Sequence, residues 1–291
     1  MTTSDLEEDR REVVDRYFAR VPDDSEKSQV LMHILGGIGV VVAGVLLGAT
    51  LSWLVGVTVL LLGLGLFFRG VRRYETFREA CELALPKARD VVIDHIRERE
   101  LSKVEERALH RLDLTAEDLE LDSVPRDPLA EPTLDGRSAR RPLIVTGPVP
   151  TSRAMIGRDG VWRFSQYAVL VICPTDYHLG LYRCVIDLRV AGLFQEETHE
   201  YHYTDVVAVS TAVQGGPRIV AQSAEAEDST LRFDSPLLHE FQLVVSSGDR
   251  SRIVVGISDE RNPDQRARLP VTDIDLVLVA VRAMLRDKKA A

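Results

Sequence analysis

The longest uniform pattern in the chain is the run from Val30 to Phe68, VLMHILGGIGVVVAGVLLGATLSWLVGVTVLLLGLGLFF, which carries no formal charge and has His33 as its only titratable side chain. A helix crossing the hydrocarbon core needs about 20 apolar residues, so the run has room for two crossings. Gly48-Ala49-Thr50 and Ser52 supply a break, which predicts helices near 30–48 and 52–69. Backbone groups in lipid must be satisfied internally, and a tight helical hairpin does this most simply. One bent helix or a monotopic re-entrant loop is the alternative.

On either side the period becomes amphipathic. SDLEEDRREVVDRYFARV opens with Ser4 and Glu7 at capping-box spacing, and Leu6, Val13, Val14, Tyr17 and Phe18 then recur at helical intervals. After the apolar run, helices are expected from Val71 towards Leu112, broken at Pro86, with a fresh start at Ser102–Glu105 and a short capped turn at Thr115. A coiled-coil stalk would be interrupted by Arg78, His95 and Arg99, so a small helical bundle is expected instead.

Helical periodicity disappears in SVPRDPLAEPTLDGRSARRP, which reads as a linker. Beyond Arg141 short runs rich in Val, Ile, Tyr and Phe take over: PLIVTG, YAVLVIC, LYRCVIDLRVA, HEYHY, VVAVSTAV, RIVAQ, STLRFD, FQLVVSS and RIVVGIS. The last two form a hairpin around Ser247-Gly248-Asp249. A closing helix, capped by Thr272 or Asp273, buries Ile274, Val277, Val281, Met284 and Leu285 and ends in cations, as the helix dipole favours. The expected organisation is therefore a helix over 1–28, a hairpin over 29–69, a helical segment over 70–120, a linker over 121–141 and a β domain over 142–291.

The β segment resembles the pleckstrin-homology-like (PH-like) superfamily, in particular bacterial PH-like domains attached to membrane hairpins. The residues that carry the resemblance are PTDYHLGLY (Pro174 to Tyr182), EYHYTDVVAVS (Glu200 to Ser210), the hairpin FQLVVSSGDRSRIVVG and the terminal helix, in that order. It covers roughly 142–288. The fold class it implies is an α+β membrane protein, with a two-helix hairpin and helical flanks followed by an antiparallel β-barrel or sandwich closed by a C-terminal helix. The function it implies is a protein- or lipid-docking scaffold. The Lys/Arg array of phosphoinositide-binding PH domains is not evident in this sequence.

Charge then sets orientation and partners. Arg69, Arg72, Arg73 and Arg78 follow the second apolar helix, Arg16, Arg20 and Lys27 precede the first, and the connecting turn has no charge. Positive residues stay inside, so both termini are expected in the cytoplasm, with a multi-pass topology in a bacterial inner membrane. A long acidic N-terminal region and an apolar run twice the length of a signal h-region argue against a cleaved leader. Basic residues are almost all arginine, and Asn262 is the only asparagine, a bias of GC-rich bacterial genomes. A net charge of −9 turns attention away from nucleic acid. Three cysteines, Cys81, Cys173 and Cys184, form no CxxC and suit a reducing compartment.

The glycines of the apolar run form candidate packing faces: Gly44 and Gly48 are at small-xxx-small spacing, and Gly56 and Gly63 are seven apart. They serve either the packing of the hairpin on itself or association between copies, the second reading giving an oligomerising membrane effector. No acid or base lies within the spans, which points to an anchor rather than a transporter. Arg69, Arg72 and Arg73 are candidate lipid-headgroup contacts.

For chemistry, GxSxG, Walker-type and HExxH motifs are missing from the sequence, and no cofactor is implied. The remaining cluster is HEYHYTDVV. On a strand, His199, Tyr201 and Tyr203 share one face and Glu200 and His202 the other, so the two histidines cannot chelate one ion from a regular strand. No catalytic or metal residue is assigned. Glu200 and His202 form a candidate partner surface, Tyr201 and Tyr203 point inward, and Asp205 shapes a turn. The leading expectation is a non-enzymatic, membrane-anchored scaffold or regulator that docks an unidentified protein or lipid. A membrane-tethered enzyme using His199 and His202 is the rival.

Overall fold

The computed structural model describes residues 3–22, 24–50, 53–119, 142–223, 230–262, 264–270 and 274–290. The expected linker with its arginine cluster, the break at Ser52 and the cap at Thr272 or Asp273 lie outside the described residues, as does the side chain of Ser4. The chain is α+β and divides into two compact units, one built by 15–88 and the other by 1–14, 89–224 and 230–291.

The first unit is a pair of long helices, α2 (Asp24–Thr50) and α3 (Trp53–Ala84). Both are long and apolar enough to cross a membrane, and only 17% of each apolar window is buried. Met32, Leu35, Leu46, Leu54, Leu61 and Leu62 are all more than half exposed. Such exposure on a soluble helix pair would be a large apolar patch. α3 does not stop near Arg69 but continues unbroken to Ala84, because nothing between Arg69 and Ala84 breaks a helix; the chain leaves it just before Pro86.

The two helices meet along glycines. A Cβ on Gly37 would lie 2.7 Å from the Phe67 backbone nitrogen, one on Gly44 2.7 Å from that of Leu60, and one on Gly63 2.6 Å from that of Val41. Gly56 faces the backbone of Gly48, and Gly70 faces Ile34. Gly56, Gly63 and Gly70 recur every seven residues, so one face of α3 stays bare along its length.

The second unit contains α1 (Thr3–Phe18) up to Val14, α4 (Asp90–Arg111), a 3₁₀ turn at Ala116–Asp118 and the β domain. Ser102 begins no helix. It lies inside α4, where its hydroxyl donates to the Arg99 carbonyl at 2.9 Å, the local bond open to a mid-helix serine. Thr115 does cap the short turn, its N–H and hydroxyl donating to the Asp118 carboxylate at 2.7 and 2.6 Å.

Among the described residues, eleven strands follow in three sheets. β1 (Leu143–Pro148), β4 (Gln166–Pro174), β5 (His178–Asp187) and β6 (Leu193–His202) form one antiparallel sheet in that order. β7 (Val206–Gly215), β10 (Pro236–Val245) and β11 (Arg250–Asp259) form a second, with β10 in the middle. The third runs β3-β2-β8-β9, from Trp162–Phe164, Ala154–Ile156, Ile219–Ser223 and Thr230–Phe233. Its β2–β8 pair is parallel.

Of the expected barrel or sandwich, the barrel is corrected: among the described residues the strands lie in three separate sheets and no ladder closes one. The reason is local. Tyr203–Asp205 forms a 3₁₀ turn, so β6 ends one sheet while β7 turns to pair with β10 in another. Tyr203 is buried there, and its hydroxyl donates to the Thr175 carbonyl. At the β10–β11 turn Gly248 adopts φ 90°, which glycine takes without a steric penalty.

The core between the first two sheets joins Leu170, Ile172, Leu179 and Leu181 to Phe241 and Leu243. α5 (Ile274–Ala290) closes it with Val277, Val281 and Leu285 of the expected stripe and with Leu278 beside them, while Ile274 and Met284 are only partly buried. Under the third sheet Trp162 stacks on Phe233 at 5.1 Å and on Phe164 at 6.3 Å.

Candidate functional site

A shallow groove of about 650 Å³ lies between β7 and the last turns of α5. Its origin is a register shift. Val245 of β10 pairs with Val206 and Val244 with Ala208, leaving Val207 as an extra residue on β7. Such a bulge interrupts the strict alternation of a strand. Val206 and Val209 are buried, while Val207 and Ala208 are both exposed. β7 is also the end strand of its sheet, so its outer edge has no neighbouring strand among the described residues.

α5 supplies the other wall. Leu285 gives an apolar floor, and Arg282, Arg286 and Lys289 stand at i, i+4 and i+7, on one face of the helix. The Arg282 guanidinium reaches the Val209 carbonyl at 3.3 and 3.4 Å, and Lys289 Nζ donates to the Val206 carbonyl at 2.6 Å. Arg286 donates to the Arg282 carbonyl at 3.3 Å. Among the described residues no carboxylate forms an ion pair with any of the three. The groove therefore combines an end strand, two of whose carbonyls are held by Arg282 and Lys289, with exposed aliphatic side chains and positive charge that no carboxylate of the described residues pairs.

The sequence-derived candidates are distributed differently. His199 stacks on Tyr201 with centroids 5.8 Å apart and rings 8° from parallel. His202 pairs in register with His178, and Glu200 with Gly180. Glu200 Oε2 lies 3.8 Å from His178 Nε2, whose Nδ1 is 3.1 Å from the Thr175 hydroxyl. Among the described residues no group of three His, Cys, Asp or Glu side chains is placed to hold a metal. Cys173 and Cys184 are buried, and burial pushes their thiols up to about 12 and about 11, which leaves them poor nucleophiles at neutral pH. Asp205 ends its 3₁₀ turn, and its main-chain carbonyl accepts from the Ser246 N–H at 2.8 Å.

Several charged clusters are structural. Arg163 is 2% exposed and grips Asp94 of α4 through two bonds of 2.9 and 2.7 Å, and Asp159 through two more of 2.9 and 2.8 Å. Hydrogen bonds from Arg163 hold the Asp159 carboxyl well below the usual range. Glu100 is fully buried and accepts from Arg10 at 2.6 Å and from Lys103 at 2.9 Å. Its burial favours the neutral acid, but these two cations together outweigh it and lower its pKa. Glu196 accepts from both Arg107 nitrogens at 3.0 and 3.1 Å and from the Tyr182 hydroxyl at 3.0 Å. The Arg163 and Glu196 pairs fasten α4 to strands of its own unit, and the Arg10–Glu100 pair fastens α1 to α4.

Sequence reasoning missed the β7–α5 groove. The helical spacing of Arg282, Arg286 and Lys289 was readable, but only folding shows that the stripe faces a bulged edge strand. No protein-family model matches the chain, and no curated protein or solved structure matches it.

Proposed function

We propose that the chain is a non-enzymatic, membrane-anchored docking protein. Its helical hairpin is the anchor, its termini lie in the cytoplasm, and its β domain, PH-like in plan, binds an extended segment of a protein partner in the β7–α5 groove. The anchor is supported by two long apolar helices whose aliphatic side chains are exposed, with every flanking arginine at the same end. The PH-like reading is supported by a four-stranded and a three-stranded antiparallel sheet closed by one C-terminal helix.

One observation carries the docking site: a strand edge with no neighbouring strand among the described residues lies beside three cations that no carboxylate of those residues neutralises. A peptide in extended form adds to such an edge through main-chain hydrogen bonds, and its side chains select by fitting alternate pockets. Here the selected segment has apolar residues to cover Val207 and Leu285 and an acidic residue to meet Arg282 or Arg286.

The test is selection of peptides from a random extended library on the full-length chain in detergent, with a photo-crosslinker at Val213 to report position. Selected peptides are expected to be acidic and apolar, to crosslink at Val213, and to lose at least about tenfold in affinity on Arg282→Glu with Arg286→Glu, in line with the loss of two charge-assisted contacts. Peptides that ignore both substitutions would overturn the assignment.

A further inference from the structure

α3 carries a second concavity, a groove of about 560 Å³ lined by Gly65, Phe68, Arg69, Arg72, Arg73 and Thr76. These positions follow helical spacing, so the groove runs along one face of α3. A Cβ on Gly65 would meet nothing within 4 Å, which leaves the apolar end of the groove open. Phe68 beside it is 61% exposed. Gly70 packs on Ile34 and the backbone of His33, which puts the arginines level with the start of the apolar run on α2. Arg73 Nη1 lies 3.4 Å from His33 Nε2, so the cationic surface reaches α2.

The arginines around this groove differ from their neighbours. Arg78 pairs with Glu82 at 2.8 Å, and Arg20 with Glu26 at 2.8 Å. Arg69, Arg72 and Arg73 are exposed and have no carboxylate partner among the described residues. Orientation alone needs positive charge on this side; it does not need three adjacent guanidinium groups left uncompensated around an opening that is apolar at one end. A phosphodiester with an acyl chain matches that polarity: guanidinium forks bind phosphate oxygens in two-bond geometry, and the chain lies along Phe68 and Gly65.

We infer that Arg69, Arg72 and Arg73 form a headgroup site for an anionic phospholipid of the surrounding leaflet. This rests on the anchor reading above, and it adds a lipid ligand distinct from the peptide segment at the β domain. Three uncompensated charges favour a headgroup with net negative charge over a zwitterionic one, by about fivefold per arginine near the surface.

The experiment reconstitutes the full-length chain into nanodiscs of phosphatidylcholine with phosphatidylglycerol and counts the lipids retained on release by native mass spectrometry. Retained lipid is expected to be enriched in phosphatidylglycerol. R69Q/R72Q/R73Q abolishes the enrichment, R69K/R72K/R73K keeps most of it while preserving insertion, and R78Q leaves it unchanged. Millimolar glycerol phosphate added in solution does not displace the lipid; displacement would mark a site for free phosphate and overturn the assignment to a membrane lipid. A chain that inserts without enrichment, or with enrichment indifferent to the glutamine variant, overturns this inference alone. A chain that fails to enter the discs overturns it together with the anchor.

Discussion

In the helical hairpin, α2 and α3 touch where side chains are missing; in the β domain, strands and helices touch where side chains are largest. Gly44, Gly56 and Gly63 bring backbone within contact of backbone, and no Asp, Glu, Lys or Arg lies between Gln29 and Phe68. Across the β domain, Phe241, Leu170, Ile172 and Tyr203 fill the space between sheets, and in the same unit buried ion pairs at Arg163 and Glu100 tie the helices in. The difference follows from the surroundings proposed for each. Water drives apolar side chains into a core, whereas lipid offers no such gain and leaves close van der Waals approach as the main attraction between helices.

The comparison can be broken most decisively at the centre of the β core. Phe241→Ala removes a fully buried ring and is expected to cost about 3–5 kcal/mol, read by chemical unfolding of the full-length protein followed by near-UV circular dichroism. If the loss is under 1 kcal/mol, bulk is not what holds that unit. Arg163→Gln comes next. It leaves Asp94 and Asp159 without their cation, at about 2–4 kcal/mol, the lower part reflecting carboxylates that remain partly exposed. Hydrogen exchange in α4 should rise with it.

Gly56→Leu tests the other side of the comparison. The larger side chain must displace the Gly48 backbone, so adding apolar bulk here is expected to destabilise the helix pair by about 1–3 kcal/mol, measured by unfolding in detergent. Unchanged stability would mean the helices do not depend on close approach.

Acid gives the smallest effect and a sharper contrast. The folded-state pKa values of Glu100 and Asp187 are depressed; burial opposes this at both, but partner cations and hydrogen bonds prevail. Their contribution is therefore complete above the ordinary carboxylate range and is lost as pH falls through and below it. Melting temperature of the β unit should decline below about pH 4.5, with a shallower slope in Glu100→Gln. The hairpin, lacking carboxylates between Gln29 and Phe68, should be insensitive over that interval.

Long periodic features were readable in the chain. The apolar run, the strand runs that became β1 and β4 to β11, the β10–β11 turn and the buried stripe of α5 all follow from local period and turn residues. What escaped was short or non-local. β2 and β3 have three residues each, too few for alternation to register, and β2 pairs in parallel with a strand far along the chain. The Ser102–Glu105 pair matched a helix start by composition, yet its position inside a continuous amphipathic stretch decided otherwise. Barrel closure depends on which strands meet at the ends, and the turn at Tyr203–Asp205 sends β7 elsewhere. The Arg163 clamp joins aspartates from α4 and from the loop before β3, a proximity that only the folded chain creates.

The parallel pairing of Ala154–Ile156 with Ile219–Ser223 has a consequence for how the protein is made. While the chain emerges from the ribosome, β2 and β3 can form their own short hairpin, but its outer edge stays open until β8 has been synthesised. Non-local pairing of this kind is slow, because the loop must close before the contact rewards it. α5 arrives later still, so the core it covers stays exposed until that helix has been synthesised. A hairpin already held in the bilayer would keep such nascent chains apart during that interval, when unpaired edges are most prone to join one another.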